Sequence, residues 1–308
     1  MRPELVLVGV TVLWGSTFIV TKDIVRDAPP MLYLVFRFGV ASLTLLAVYW
    51  PHLRREARNR QLVVDGVVLG VLNSLGLVLQ VIGQVFTTAS KSAFITSLNT
   101  PLVPLVSFAL YATRPSRAQL VAVVLATVGL MLLTYPAGGA RWNVGDLYTV
   151  GCAGFYAFTI VQIARRSPRH DARPLTAVQL VTATLTFCCA LALAKLCIRI
   201  MPAAALPEFA RLEARPLVMT PRLVVEGLYM ALACTVVTFG LQTWAMARMS
   251  ATHAAIVFAL EPVFATMMAI GWEGSAEWPG ARGATGAAIV MIAVAASELP
   301  RRRGKLEA

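Results

Sequence analysis

Two short runs carry most of the chemistry this chain offers: Asn99-Thr100-Pro101-Leu102 and Leu260-Glu261-Pro262-Val263, with the prolines 161 positions apart. Both lie inside long apolar stretches. Glu261 falls about nine residues into its stretch, about 13 Å deep at the helical rise. A carboxylate there costs about 2.5 to 3.5 kcal/mol on insertion scales. Such a group must face a partner, a cavity or water, or hold a proton. It could exchange protons or meet a solute; it could equally support the broken backbone beside it. Pro262 has no N–H for the carbonyl of Phe258, and Pro101 and Pro104 disturb the other run in the same way, so helix kinks are expected at all three. Ser97, Asn99 and Thr100 around Pro101 either repair the freed carbonyls or form a polar stretch near the midplane, where binding sites of membrane proteins tend to form.

Other polar side chains stand at similar depth. Gln80 and Gln84 lie one turn apart, and Tyr156, Gln162, Gln179 and Gln242 add amides and a phenol; groups so far from headgroups usually face a bundle interior. Trp14 falls mid-stretch, where its N–H needs a polar partner; it either packs or stacks on a planar solute. Arg37 lies about 10 Å inside its stretch. Its long side chain is expected to snorkel to the interface or to pair structurally, the alternative being a bound carboxylate. The predicted substrate-binding set is Trp14, Gln80, Asn99, Tyr156, Gln242 and Glu261. Together these suit a small zwitterion, or a neutral metabolite with an apolar part.

Bond-making chemistry is less well served. His52, His170 and His253 are dispersed, without the paired acids or the base and nucleophile that catalysis needs. The five cysteines lack metal-ligand spacing and read as small packing residues. No catalytic residue, metal or cofactor is expected. No G-x-x-x-x-G-K-[ST] run occurs, which excludes a nucleotide-hydrolysing pump within the chain. A membrane-embedded enzyme modifying lipids or metabolites is the rival reading, and a sensor that binds without flux is a third.

The elements that must position these groups are membrane helices. Hydrophobic residues make up 58% of the chain and charged residues 14%, a balance that a water-soluble domain could not bury. The formal charge of +12 sits in short clusters between apolar runs, so the expected partner is a membrane surface and not nucleic acid. Runs long enough to cross about 30 Å of hydrocarbon occur near residues 4–22, 30–50, 62–84, 91–112 and 117–135, then 143–164, 174–199, 222–246, 252–272 and 279–299. Ten helices are predicted, with residues 200–221 forming the one long connection and carrying one short surface helix. With the N-terminus inside, sixteen cations face the cytoplasm and ten the other side, so both termini should be cytoplasmic, as the positive-inside rule requires. Tyr49, Trp50, Tyr111, Trp142, Trp272 and Trp278 near span ends read as interfacial belt residues. Lys91 and His253 are likewise expected at the ends of their spans. Gly66 with Gly70, Ala122 with Ala126 and Gly283 with Ala287 are spaced for close helix approach; spans five and ten could also support dimerisation.

At the 161-residue offset Ala93 meets Ala254, Ile95 meets Ile256 and Pro101 meets Pro262, each in the fourth span of a five-span unit. An odd span count inverts the second copy, the usual basis of alternating access. The expected units are residues 1–140, residues 141–299 in inverted orientation, and a basic cytoplasmic tail at 300–308. The chain resembles the drug/metabolite transporter superfamily, and within it the EamA-type exporters. This rests on Trp14-Gly15-Ser16-Thr17-Phe18, Phe36-Arg37-Phe38, Asn99-Thr100-Pro101-Leu102 and Leu260-Glu261-Pro262-Val263-Phe264-Ala265. The resemblance implies an all-α integral membrane protein of ten helices, with a central cavity built mainly by spans one to four and six to nine. It also implies a secondary exporter of small metabolites in a bacterial inner membrane, with amino acids as the leading substrate class; Trp14, Tyr156 and the amides favour aromatic or hydrophobic ones. The chain departs from the family where the usual Gly-Glu after span nine is Gly271-Trp272-Glu273, and Thr113-Arg114 in the first half.

Overall fold

The computed structural model describes residues 2–56, 58–134, 142–273 and 280–297. The expected tail at 300–308 and Trp278 lie outside them, as do the side chains of Trp272 and Glu273. Among the described residues every regular element is helical. The first part of the chain forms α1 (Pro3–Asp27), α2 (Pro30–Glu56), α3 (Arg60–Phe86), α4 (Ala89–Thr96), α5 (Asn99–Tyr111) and α6 (Arg117–Thr134). The rest forms α7 (Val144–Arg166), α8 (Ala172–Ile200), α9 (Glu208–Glu213), α10 (Pro221–Ala231), α11 (Thr238–Met246), α12 (Ala251–Phe258), α13 (Glu261–Glu273) and α14 (Gly280–Ser297). A π-helical segment, Leu232–Val237, joins α10 to α11. Nine of the resulting spans are long and apolar enough to cross a membrane among the described residues, with α4–α5, α10–α11 and α12–α13 each counting as one. A shorter apolar helix, Arg117–Leu133, occupies the fifth position. Large apolar side chains such as Leu43, Val124, Leu185 and Met291 cover the outer surface, as a hydrocarbon solvent requires and water does not permit.

Both proline-bearing spans are interrupted, and the cause is local. Pro101 is the third residue of α5 and Pro262 the second of α13, where a missing N–H leaves no intrahelical bond unmade. The chain therefore stops one helix, makes a two-residue turn and starts another. At Ser97-Leu98 the turn is closed by Leu98 N–H to Ile95 O at 3.1 Å and Thr100 N–H to Ser97 O at 3.0 Å; at Ala259-Leu260 it is closed by Leu260 N–H to Val257 O at 3.1 Å. Each interrupted span also opens on a side-chain cap: Thr88 Oγ1 accepts from Lys91 N–H, and Ser250 Oγ from His253 N–H, both at 3.2 Å.

Helix pairing follows the small residues. α6 packs along α14, where a Cβ on Gly286 would lie 2.5 Å from both Gly129 O and Leu133 N, so the two backbones touch. α3 runs between α7 and α8, α2 lies on α8, α1 on α13, and α5 on α12. Spans two and seven, four and nine, and five and ten thus contact their counterparts. The long connection holds α9 as expected, but this helix is anchored and not superficial. Glu213 is fully buried, its Oε1 accepting the Met31 N–H at 2.5 Å near the start of α2, while Lys195 Nζ donates to the Glu213 carbonyl at 2.8 Å.

Candidate functional site

Helix periodicity decides what faces the centre of the bundle. Trp14, Thr17 and Thr21 form one stripe on α1, Asn73, Leu77, Gln80 and Val81 one on α3, and Tyr156, Thr159 and Ile160 one on α7; all border a single cavity. Asn99, Gln242, Phe258 and Glu261 close it from the interrupted spans and from α11. All six residues of the predicted binding set therefore line one space, although they come from six different helices.

Hydrogen bonds orient several of them. Tyr156 donates its hydroxyl to Gln80 Oε1 at 3.0 Å, and the Gln80 amide reaches Thr96 Oγ1 at 3.4 Å. Trp14 Nε1–H finds Thr238 Oγ1 at 3.0 Å, which answers its need for a polar partner and fixes the ring. Phe258 and Phe239 flank that ring, with centroids 5.5 and 6.1 Å away. Ser97 donates to Ala93 O at 2.8 Å and Thr100 to Ala255 O at 3.2 Å, so both serve the backbone. Asn99 remains facing the cavity. Asn73 is a residue that sequence reasoning passed over; it is buried with an unpartnered amide nitrogen, and its signal, an amide deep in span three, was the one that singled out Gln80.

Of the two roles expected of Arg37, snorkelling is not seen, and the side chain is held by structural partners. It is 4% exposed and turned inward, its Nε bonding Thr235 Oγ1 at 2.8 Å, one terminal nitrogen Tyr33 Oη at 3.3 Å and the other Cys234 O at 3.2 Å. The physical reason is the π segment. Its extra residue per turn loosens the backbone ladder, and the Cys234 carbonyl there accepts from both Arg37 and Thr238. Arg37 lines the same cavity as Glu261. Glu261 itself has no side-chain hydrogen bond or ion pair among the described residues.

Other predicted polar groups lie away from the cavity. Gln162 exchanges hydrogen bonds with Tyr111, at 2.9 and 3.1 Å, and accepts from Arg166. Gln84 and Gln179 are buried in helix contacts. Lys91 stands at the start of its span as expected and pairs with Asp146 at 2.5 Å, and Asp146 also takes the Thr87 hydroxyl at 2.9 Å. At the opposite end of the α3–α7 contact, Asp65 takes Arg166 and His170. Among the described residues no group of His, Cys, Asp or Glu is arranged to hold a metal.

A sequence model described as the EamA-like transporter family matches residues 1–135 and 143–297. An uncharacterized transporter of Archaeoglobus fulgidus is 27% identical over 267 residues, 87% of this chain and 77% of that protein. A second uncharacterized transporter from the same organism is 22% identical over 274 residues, 87% and 88% of the two chains. One solved crystal structure superimposes with a TM-score of 0.68 at 17% identity, over 97% of this chain and 98% of the other, a likeness of fold.

Proposed function

The chain belongs to the EamA-like transporter family, and from that premise we propose a secondary transporter that exports amino acids, aromatic or hydrophobic ones foremost, by alternating access. One observation carries the reading: Trp14, Gln80, Asn99, Tyr156, Gln242 and Glu261, drawn from both parts of the chain, border one cavity between two interrupted spans. Discontinuous helices place loose backbone and polar side chains at the depth where transporters bind their cargo. The ring of Trp14 between Phe239 and Phe258 supports an apolar, planar portion of the cargo, and the amides support its polar portion.

The two units are residues 1–140 and 141–299, related by inversion. The mutual contacts of spans two and seven, four and nine, and five and ten favour this arrangement. Rocking of one unit against the other would then expose the cavity to each side in turn. The membrane is the bacterial inner membrane with both termini cytoplasmic, on the strength of the cation bias; reporter fusions placing either terminus outside would remove the inverted topology.

Purified protein in liposomes, offered a panel of labelled amino acids and other metabolites, tests the function. Uptake or counterflow of hydrophobic amino acids above empty liposomes is the expected result. Chemical modification of a lipid or metabolite without flux would favour an enzyme instead, and binding without flux a sensor.

A further inference from the structure

We infer that Arg37 is the specificity-determining residue for a carboxylate on the cargo, an inference that rests on the cavity being the binding site proposed above. Lys91, Arg166 and Lys22 are each only half-buried: Lys91 pairs with Asp146, Arg166 with Asp65, and Lys22 donates to the carbonyls of Gln84, Val85 and Thr87 at the end of α3. Arg37 alone among the described lysines and arginines is buried. Among the described residues no carboxylate lies within ion-pairing distance of it, and its three partners are two hydroxyls and one carbonyl, all neutral. A guanidinium withdrawn from water and offset only by neutral groups is poorly compensated.

The bonds that exist hold the fork in place without exhausting it. Each terminal nitrogen spends one N–H, on Tyr33 Oη or on Cys234 O, and keeps one. Arg37 lines the cavity, and Thr235, Tyr33 and Cys234 hold its fork in place for a carboxylate entering there. Paired N–H donors of this kind suit carboxylate geometry better than an ammonium does. The acidic group in the cavity, Glu261, forms no ion pair with Arg37. The cavity therefore offers separated cationic and acidic groups with an aromatic wall. An amino acid can engage both groups, whereas a purely cationic or neutral apolar solute leaves Arg37 uncompensated.

The probes are phenylalanine and phenylalanine carboxamide, which differ only at the carboxyl group. Thermal stabilisation of the detergent-solubilised protein reads their affinities, and counterflow in liposomes reads their flux. For the wild type, phenylalanine should bind about tenfold to a hundredfold more tightly than its carboxamide, the range expected of hydrogen bonds to a charged group. Arg37→Gln should erase that preference while leaving carboxamide binding unchanged. Arg37→Lys should weaken phenylalanine several-fold with no change for the carboxamide, and serves if the glutamine variant does not fold. Equal affinities in the wild type, no binding of either probe, a preference that survives Arg37→Gln, or an equal loss for both probes in Arg37→Lys would each overturn the assignment. Should phenylalanine bind with the expected preference and never be transported, the exporter reading fails while carboxylate recognition by Arg37 stands.

Discussion

Thr100 of α5 donates its hydroxyl to the carbonyl of Ala255 in α12 at 3.2 Å, tying one interrupted span to the other. The same carbonyl also accepts Ala259 N–H at 3.1 Å. Removing the hydroxyl therefore leaves that carbonyl satisfied. Thr100→Val, which keeps the shape, should cost about 1 kcal/mol, the net worth of one hydrogen bond. Thermal unfolding in detergent measures it. A loss several times larger would mean that this contact joins the two halves cooperatively.

Glu261 faces the cavity with no protein partner among the described residues, so it is free to meet protons or cargo. Glu261→Gln should abolish the response of flux to an imposed pH gradient while the protein stays folded and binds cargo. A structural role predicts the reverse: reduced thermal stability, with residual flux that keeps its pH response. Wild-type flux indifferent to the gradient would dismiss proton coupling and leave facilitated diffusion.

Glu213, in the connection between spans seven and eight, gives a pH dependence of known sign. Burial pushes its carboxyl above the ordinary value of 4.5, against the smaller opposing effects of the Met31 N–H and Lys195. A raised carboxyl means that the folded protein holds the proton more tightly than the unfolded chain. Its contribution is thus fully present below about pH 4.5 and is lost as pH rises through the raised value. Glu213→Gln retains an acceptor for Met31 and cannot ionise. Its unfolding temperature, compared with that of the wild type, should gain steadily as pH increases across this window. A difference constant with pH would show that Glu213 does not titrate on unfolding.

Gly286 tests the seam between α6 and α14. A side chain there meets backbone atoms of Gly129 and Leu133, which cannot rotate aside. Gly286→Val should destabilise by about 1 to 3 kcal/mol, the range for overpacking. Gly9→Ala is the control, since a Cβ at Gly9 has no neighbour within 4 Å. Equal melting temperatures for the two variants would dismiss the seam.

How much of the candidate site was legible depended on whether a side chain carried a polar signal. Gln80, Asn99, Tyr156, Gln242 and Glu261 stand out in apolar runs because lipid is a poor partner for them, and the same reasoning reaches Asn73. Phe239 and Phe258 give no such signal. A phenylalanine in an apolar span reads alike whether it faces lipid, a neighbouring helix or the Trp14 ring. Gln162 and Gln179 show the converse: polar at depth, yet placed in helix contacts outside the cavity.

By itself the sequence determined what local physics governs. Apolar length sets the positions of the spans, because the hydrocarbon must be crossed by helix. The prolines at 101 and 262 set the two interruptions, because their missing N–H acts within one turn wherever the helix lies. Only the tertiary structure decided the fate of Arg37. Depth in a span permits either snorkelling or burial, and the choice turned on a loosened π segment in span eight, nearly two hundred residues away, whose Cys234 carbonyl and Thr235 hydroxyl receive the guanidinium. That partnership depends on which helices become neighbours, and apolar surfaces of similar shape do not encode their neighbours in any short stretch of chain.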